Sequence, residues 1–194
     1  MKLTKFFLCL VFITMVNSCG IFDTRTPENP NDTNLNFPPA TSPQILLDNF
    51  INSIHQKNAT IYQSCFFSDG NQYIFFPSYD ALAIYSNIFQ NWNLASEFNF
   101  AKNLFSKFNP EEYPIFNVSR HSFSNVSTDS TIFIGDYEIS IYSRDNSINN
   151  LYKGKIQLNL ILDKTGTWKI IRWYDYKQED NFPTISFLKA KLNS

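Results

Sequence analysis

Two hydrophobic periods divide the chain. Between residues 42 and 114 apolar side chains recur every three or four positions, and beyond Pro114 they recur every second position. The first period predicts helices and the second strands. Ser42-Pro43 opens the helical part, with Ser as N-cap and Pro at the first helical position. Leu46, Phe50 and Ile54 follow at steps of four beside Leu47 and Ile51, with polar Asp48, Asn49, Asn52 and Gln56 opposite. Asn58 caps a short second helix through Ile61 and Tyr62. Residues 72–76 read as a short strand ended by Pro77. Asp80 caps a helix with Ala81, Tyr85, Ile88 and Trp92 on one face, and Asn93 caps another with Leu94, Phe98, Ala101, Phe105 and Phe108 on its stripe. Asn109-Pro110 stops that helix.

Residues 115–126, 131–142, 151–162 and 167–177 read as four strands. In the third, Ile156, Leu158, Leu160 and Leu162 alternate with Lys155, Gln157 and Asn159. Asp163-Lys164-Thr165-Gly166 predicts a tight hairpin, so the last two strands are antiparallel neighbours. Helices placed ahead of a meander predict an α+β domain whose helices cover one face of a curved, mostly antiparallel sheet. Strict alternation in the last strand places Trp168, Ile170, Arg172, Tyr174 and Tyr176 on one face, and Ile171, Trp173 and Asp175 on the other with Lys169 and Lys177. Both faces then carry large apolar groups. One meets the helices, and the other forms a second packing surface or docks a partner.

Ahead of residue 42 the pattern is different. Lys2 and Lys5 precede an apolar run over residues 6–16 broken by Thr14. That run is shorter than the roughly 20 residues that cross a bilayer. A basic start, a short apolar core and small residues after it predict a secretory signal peptide. Pro27, Pro30, Pro38 and Pro39 stand among Asn29, Asn31, Asn34 and Asn36 without any period. Such a stretch predicts an extended tether, reaching several tens of Å at roughly 3.3 Å per residue. The organisation expected is a signal peptide over 1–18, Cys19 and the tether over 19–41, and one α+β domain over 42–194.

Val16-Asn17-Ser18-Cys19 resembles the lipobox of bacterial lipoproteins, with Asn17 an unusual middle residue. The resemblance implies a diacylglycerol on the Cys19 thiol, cleavage before it and acylation, palmitate included, of the new amino group. More than one acyl chain gives stable membrane anchoring. Gly20, where Asp would imply retention in the inner membrane, implies the outer membrane and a domain facing the periplasm. The alternative is an ordinary cleaved signal peptide with an incidental cysteine.

Charge changes the picture by exclusion. The net charge is -1, and it becomes more negative once Lys2 and Lys5 are removed. No basic surface for nucleic acid is expected. Of the three cysteines, Cys9 leaves with the signal and Cys19 carries lipid, so Cys65 is left without a disulfide partner, as a buried structural thiol. The five glycines are too scattered to cradle a phosphate, and no G-x-S-x-G, C-x-x-C or H-E-x-x-H motif occurs. His55 and His121 lie far apart without nearby cysteines, so neither a metal nor another cofactor is expected. His55 reads as a surface residue or a partner of its helix dipole.

The order of elements looks like the nuclear transport factor 2-like superfamily. Trp168-Lys169-Ile170-Ile171-Arg172-Trp173-Tyr174-Asp175 resembles the W-[KR]-I-x-x-W-x-D ending of bacterial members. Thr184-Ile185-Ser186-Phe187-Leu188-Lys189 resembles a T-W-G-x-L-K tail of lipoproteins of this type, with Ile185 and Ser186 departing from it. The resemblance covers residues 42–192 and implies a cone with a pocket between helices and sheet. Ketosteroid isomerase, of the same superfamily, uses an Asp base with a Tyr and a protonated acid in that pocket. Tyr62, His121, Asp136, Tyr137 and Asp175 supply those residue types, and Trp173 joins them as a candidate ligand contact. The reading adopted is a non-catalytic domain that binds a small apolar ligand or acts as a scaffold. An interaction subunit, for instance a homodimer through the outer sheet face, is the first alternative. An acid/base isomerase or hydrolase is the second.

Overall fold

The computed structural model describes residues 37–142 and 148–193. The expected signal peptide, Cys19 and most of the tether lie outside the described residues. Helix α1 (Pro43–His55) begins where the sequence places it: the Ser42 side chain accepts the Ile45 N–H at 3.3 Å. Its stripe of Leu46, Leu47, Phe50 and Ile54 is buried. Asn58 caps α2 (Ala59–Ser64) by accepting the Ile61 N–H at 3.0 Å. One 3₁₀ turn (Asp69–Asn71) leads into β1 (Ile74–Phe76), which is shorter than expected. Ser78, not Asp80, is the N-cap residue of α3 (Tyr79–Phe89), and Trp92 lies beyond the end of that helix. Asn93 caps α4 (Leu94–Phe105) by accepting two backbone N–H groups, from Ala95 and Ser96.

The strands are β2 (Ile115–Asn125), β3 (Ser130–Ser140), β4 (Leu151–Leu162) and β5 (Trp168–Tyr176). The sheet order is β1-β5-β4-β3-β2, with β1 parallel to β5 and the other pairs antiparallel. The β4–β5 turn closes as expected: Gly166 has φ +77, and Asp163 accepts N–H bonds from Thr165 and Thr167. Four hydrogen bonds hold the Asp163 carboxyl down at about 2. No helix is expected after β5, but the tail forms α5 (Ile185–Asn193), which packs on α3, α4 and β4.

The expected split of the β5 faces is overturned. Asn159 pairs with Arg172 and Leu160 with Ile170, so Ile171 is an extra residue, a β-bulge. The bulge resets the alternation. Trp168 and Ile170 before it, and Trp173 and Asp175 after it, are all buried. The two tryptophans therefore share the helix-covered face and are not on opposite sides. The α4 stripe is corrected too. Its buried face is Glu97, Phe100, Ala101, Leu104 and Phe105, with a carboxylate among apolar groups, whereas Phe98 is only half-buried.

The space between helices and sheet is filled by rings. Phe50 lies 5.5 Å from both Tyr62 and Trp173, 5.8 Å from Phe116 and 6.1 Å from Phe66, centroid to centroid. Edge-to-face and tilted pairs at these distances add to the burial of apolar area.

Candidate functional site: two buried polar centres

Two polar centres lie inside this aromatic core. The first is built on α4 and α5. Lys189 Nζ stands 2.7 Å from Glu97 Oε1 and 2.8 Å from Oε2, and neither residue is exposed to solvent. Tyr62 donates its hydroxyl to Oε1 at 2.6 Å. Tyr73 and the Trp92 indole N–H donate to Oε2, each at 2.8 Å. Lys189 Nζ also lies 3.6 Å from the Trp173 ring centroid and 3.7 Å from that of Phe75. Burial pulls the Lys189 ammonium down to about 8 against the opposing pull of Glu97. Burial and the adjoining Glu97 push the Tyr62 and Tyr73 hydroxyls well above the ordinary phenol value, so both remain donors.

The second centre joins β3, β5 and the start of α5. Tyr137 donates to Asp175 Oδ1 at 2.6 Å, and the Ser186 N–H donates to Oδ2 at 3.0 Å. The Ser186 hydroxyl also donates to Oδ2 and accepts the Ser78 N–H at 3.0 Å. The Ile185 N–H donates to the Tyr137 oxygen at 2.8 Å, and the Ser78 and Thr184 hydroxyls lie 2.7 Å apart. Burial raises the Asp175 carboxyl, with the Ser186 and Tyr137 bonds opposing. These groups are aimed at one another. Chemically, they fasten the first turn of α5 to the sheet.

The residues singled out from sequence go to different places. Tyr137 and Asp175 come together. Tyr62 joins the Glu97 centre, and Trp173 is fully buried core, packed on Phe50 and Phe75 and under Lys189. Its indole N–H has no hydrogen-bond partner among the described residues. His121 is exposed against the Phe133 ring, 5.7 Å away. Asp136 pairs on the outer face with Arg120 at 2.6 Å and with Gln178 at 2.6 Å. Arg120 has φ +45 in a second bulge, opposite Gly135. His55 does not sit free at the surface. It is half-buried, and its Nε2 accepts the Phe116 N–H at 3.0 Å. Cys65 is a buried free thiol, as read. Sequence reasoning missed Glu97, Lys189, Tyr73 and Ser186. Two signals were available: Glu97 is in phase with Ala101 and Leu104, and Lys189 closes the tail motif.

No family model matches the chain, and no curated protein sequence matches it. Solved structures do. A nuclear transport factor 2-like superfamily protein from Salmonella enterica is similar over 70% of this chain and 87% of its own, at 12% identity and a TM-score of 0.52. The beta subunit of the benzoate 1,2-dioxygenase from Burkholderia mallei is similar over 74% and 93%, at 14% identity and a TM-score of 0.53. LinA is similar over 68% and 80%, at 12% identity and a TM-score of 0.50. The first of these names the fold: helices packed on a curved mixed sheet, as in nuclear transport factor 2-like proteins.

Proposed function

We propose that this chain is a lipid-anchored protein of the bacterial cell envelope, held at the outer membrane through Cys19, whose domain is a non-catalytic interaction module. A homodimer through the outer face of the sheet is the assembly it suits. One observation carries the reading. The interior that would hold a ligand is packed with aromatic rings, and its two carboxylates are bonded by the chain's own side chains and backbone.

One group of aromatic side chains gathers at the β1–β5 end of the outer sheet face. Phe76 and Tyr174 stack with parallel rings 4.3 Å apart, and Tyr176 continues the row 6.4 Å from Tyr174. Tyr79, 72% exposed, and Leu82 flank them around a recess of about 300 Å³. The rest of this face carries both signs of charge, including Arg120, Asp136, Glu138 and Lys153. A surface bearing apolar groups and both charges is self-complementary across a two-fold axis. Light scattering on the purified protein should give a dimer mass that Tyr79→Ser with Tyr174→Ser reduces to a monomer. A monomeric wild type would overturn the dimer. Equal fatty-acid labelling of wild type and Cys19→Ser would overturn the anchor.

A further inference from the structure

The edge of β5 away from β4 is covered in three pieces. β1 pairs with Arg172, Trp173 and Tyr174. Nearer the start of β5, the Cys65 carbonyl accepts the Ile170 N–H at 2.8 Å, and the Phe67 N–H donates to the Ile170 carbonyl at 2.9 Å. At the start itself, the Trp168 N–H donates to the Ala40 carbonyl at 2.7 Å. Covering an edge keeps it from pairing with another chain. The third piece belongs to residues 37–41, which the sequence pattern assigns to the tether and which here lie against the domain as a strap.

Among the described residues, two hydrogen bonds reach this strap from the body of the domain. One is the Trp168 bond, and the other runs from the Asn49 side chain to the Pro38 carbonyl at 2.8 Å. Pro38 and Pro39 have no N–H to donate, and the Thr41 N–H is taken by the Pro39 carbonyl at 2.8 Å. Ala40 is buried, whereas Pro38, Pro39 and Thr41 are exposed. Behind the strap is a recess of about 200 Å³ whose inner wall includes Leu46, Asn49, Cys65 and Lys169. The Cys65 thiol is 2% exposed there, and burial pushes it up to about 12.

We propose that residues 37–41 are a latch that detaches from the folded domain as a unit, opening the recess over Cys65 and the start of β5. The end of a domain is ordered only where it is tied down. Two hydrogen bonds and one buried methyl group are little to lose beside the aromatic core, so release of the strap lies well below global unfolding. The chain ahead of residue 37 continues from the strap. A pull from that side therefore acts on the Asn49 and Trp168 bonds before it reaches α1. If the anchor proposed above holds, the latch is the part of the domain that answers first to the membrane. The latch itself does not rest on that reading.

Thiol labelling of the purified full chain tests this, with Cys65 as the reporter. A maleimide is added under native conditions at several low urea concentrations, and peptide mapping by mass spectrometry counts the label on Cys65 alone. In the wild type, labelling should be slow and nearly independent of urea, the mark of an opening that exposes little surface. Asn49→Ala removes the bond to Pro38 and should speed labelling about three- to tenfold, beyond any change it makes in global unfolding. Ala40→Glu, which puts a charge where the strap is buried, should speed it further. Labelling that rises steeply with urea and keeps pace with global unfolding in all three proteins would overturn the latch. So would equal rates in the wild type and both variants. The wild-type urea dependence decides the matter even where Ala40→Glu does not accumulate.

Discussion

Gly154 on β4 lies opposite Tyr137 on β3, and a methyl group built on it would come within 2.7 Å of the Tyr137 hydroxyl. That hydroxyl is the one that holds Asp175 and receives the Ile185 N–H. The absence of a side chain at residue 154 is thus what leaves room for the bond between sheet and C-terminal helix.

Gly154→Ala should therefore destabilise the domain by about 1–3 kcal/mol, the cost of overpacking. Tyr137→Phe should cost about 1–3 kcal/mol by stranding a buried N–H and weakening the Asp175 shell. Combining the two should recover only part of the loss, because the same methyl also meets the Tyr176 carbonyl at 2.7 Å. Urea unfolding of the three variants measures it.

Trp168→Ala and Trp173→Ala should both destabilise the monomer, and neither should act mainly on association. Both rings are on the covered face after the Ile171 bulge. Removing a core Trp typically costs about 3–5 kcal/mol. Trp173, which is fully buried and stacked under Lys189, should be the worse of the two. Denaturant melts with light scattering check both claims. A Trp168→Ala protein of wild-type stability would contradict the register.

Lys189→Met should cost about 3–5 kcal/mol, because it leaves the Glu97 carboxylate buried without its cation. Lys189→Met with Glu97→Leu should cost much less than the sum of the single changes, since the two residues act as a unit. A double-mutant cycle in urea reads the coupling directly. Additive effects would count against the pairing.

Stability should fall on mild acidification through His55. Burial holds its imidazole below the ordinary value of 6.5, against the opposing Phe116 bond. The unfolded chain then takes up a proton near 6.5 while the folded chain still resists it. The contribution is full above about 6.5 and is lost as the pH falls through the lowered folded value. His55→Gln should flatten the midpoint-versus-pH curve in that window. An unchanged slope would assign the acid sensitivity elsewhere.

Much of the frame is local, and so the sequence determines it. Ser42-Pro43, Asn58 and Asn93 start helices by bonding within three residues. The alternation from Ile156 to Leu162 sets β4, and Asp163 with Gly166 closes the hairpin through its own backbone. The pairing of Tyr137 with Asp175 was half legible, in residue types but not in partners. Tertiary structure decided the rest. The bulge at Ile171 adds one residue to β5 relative to β4, and periodicity alone cannot place it. It moves Trp173 and Asp175 to the same side as Trp168. The helix α5 carries buried Ser186 and Lys189, polar residues that a hydrophobic pattern assigns to solvent. They are buried because Asp175 and Glu97, 11 and 92 residues away, supply their partners. A buried charge is tolerated only with its counter-charge and hydrogen bonds in place. That pairing exists only once the chain has folded.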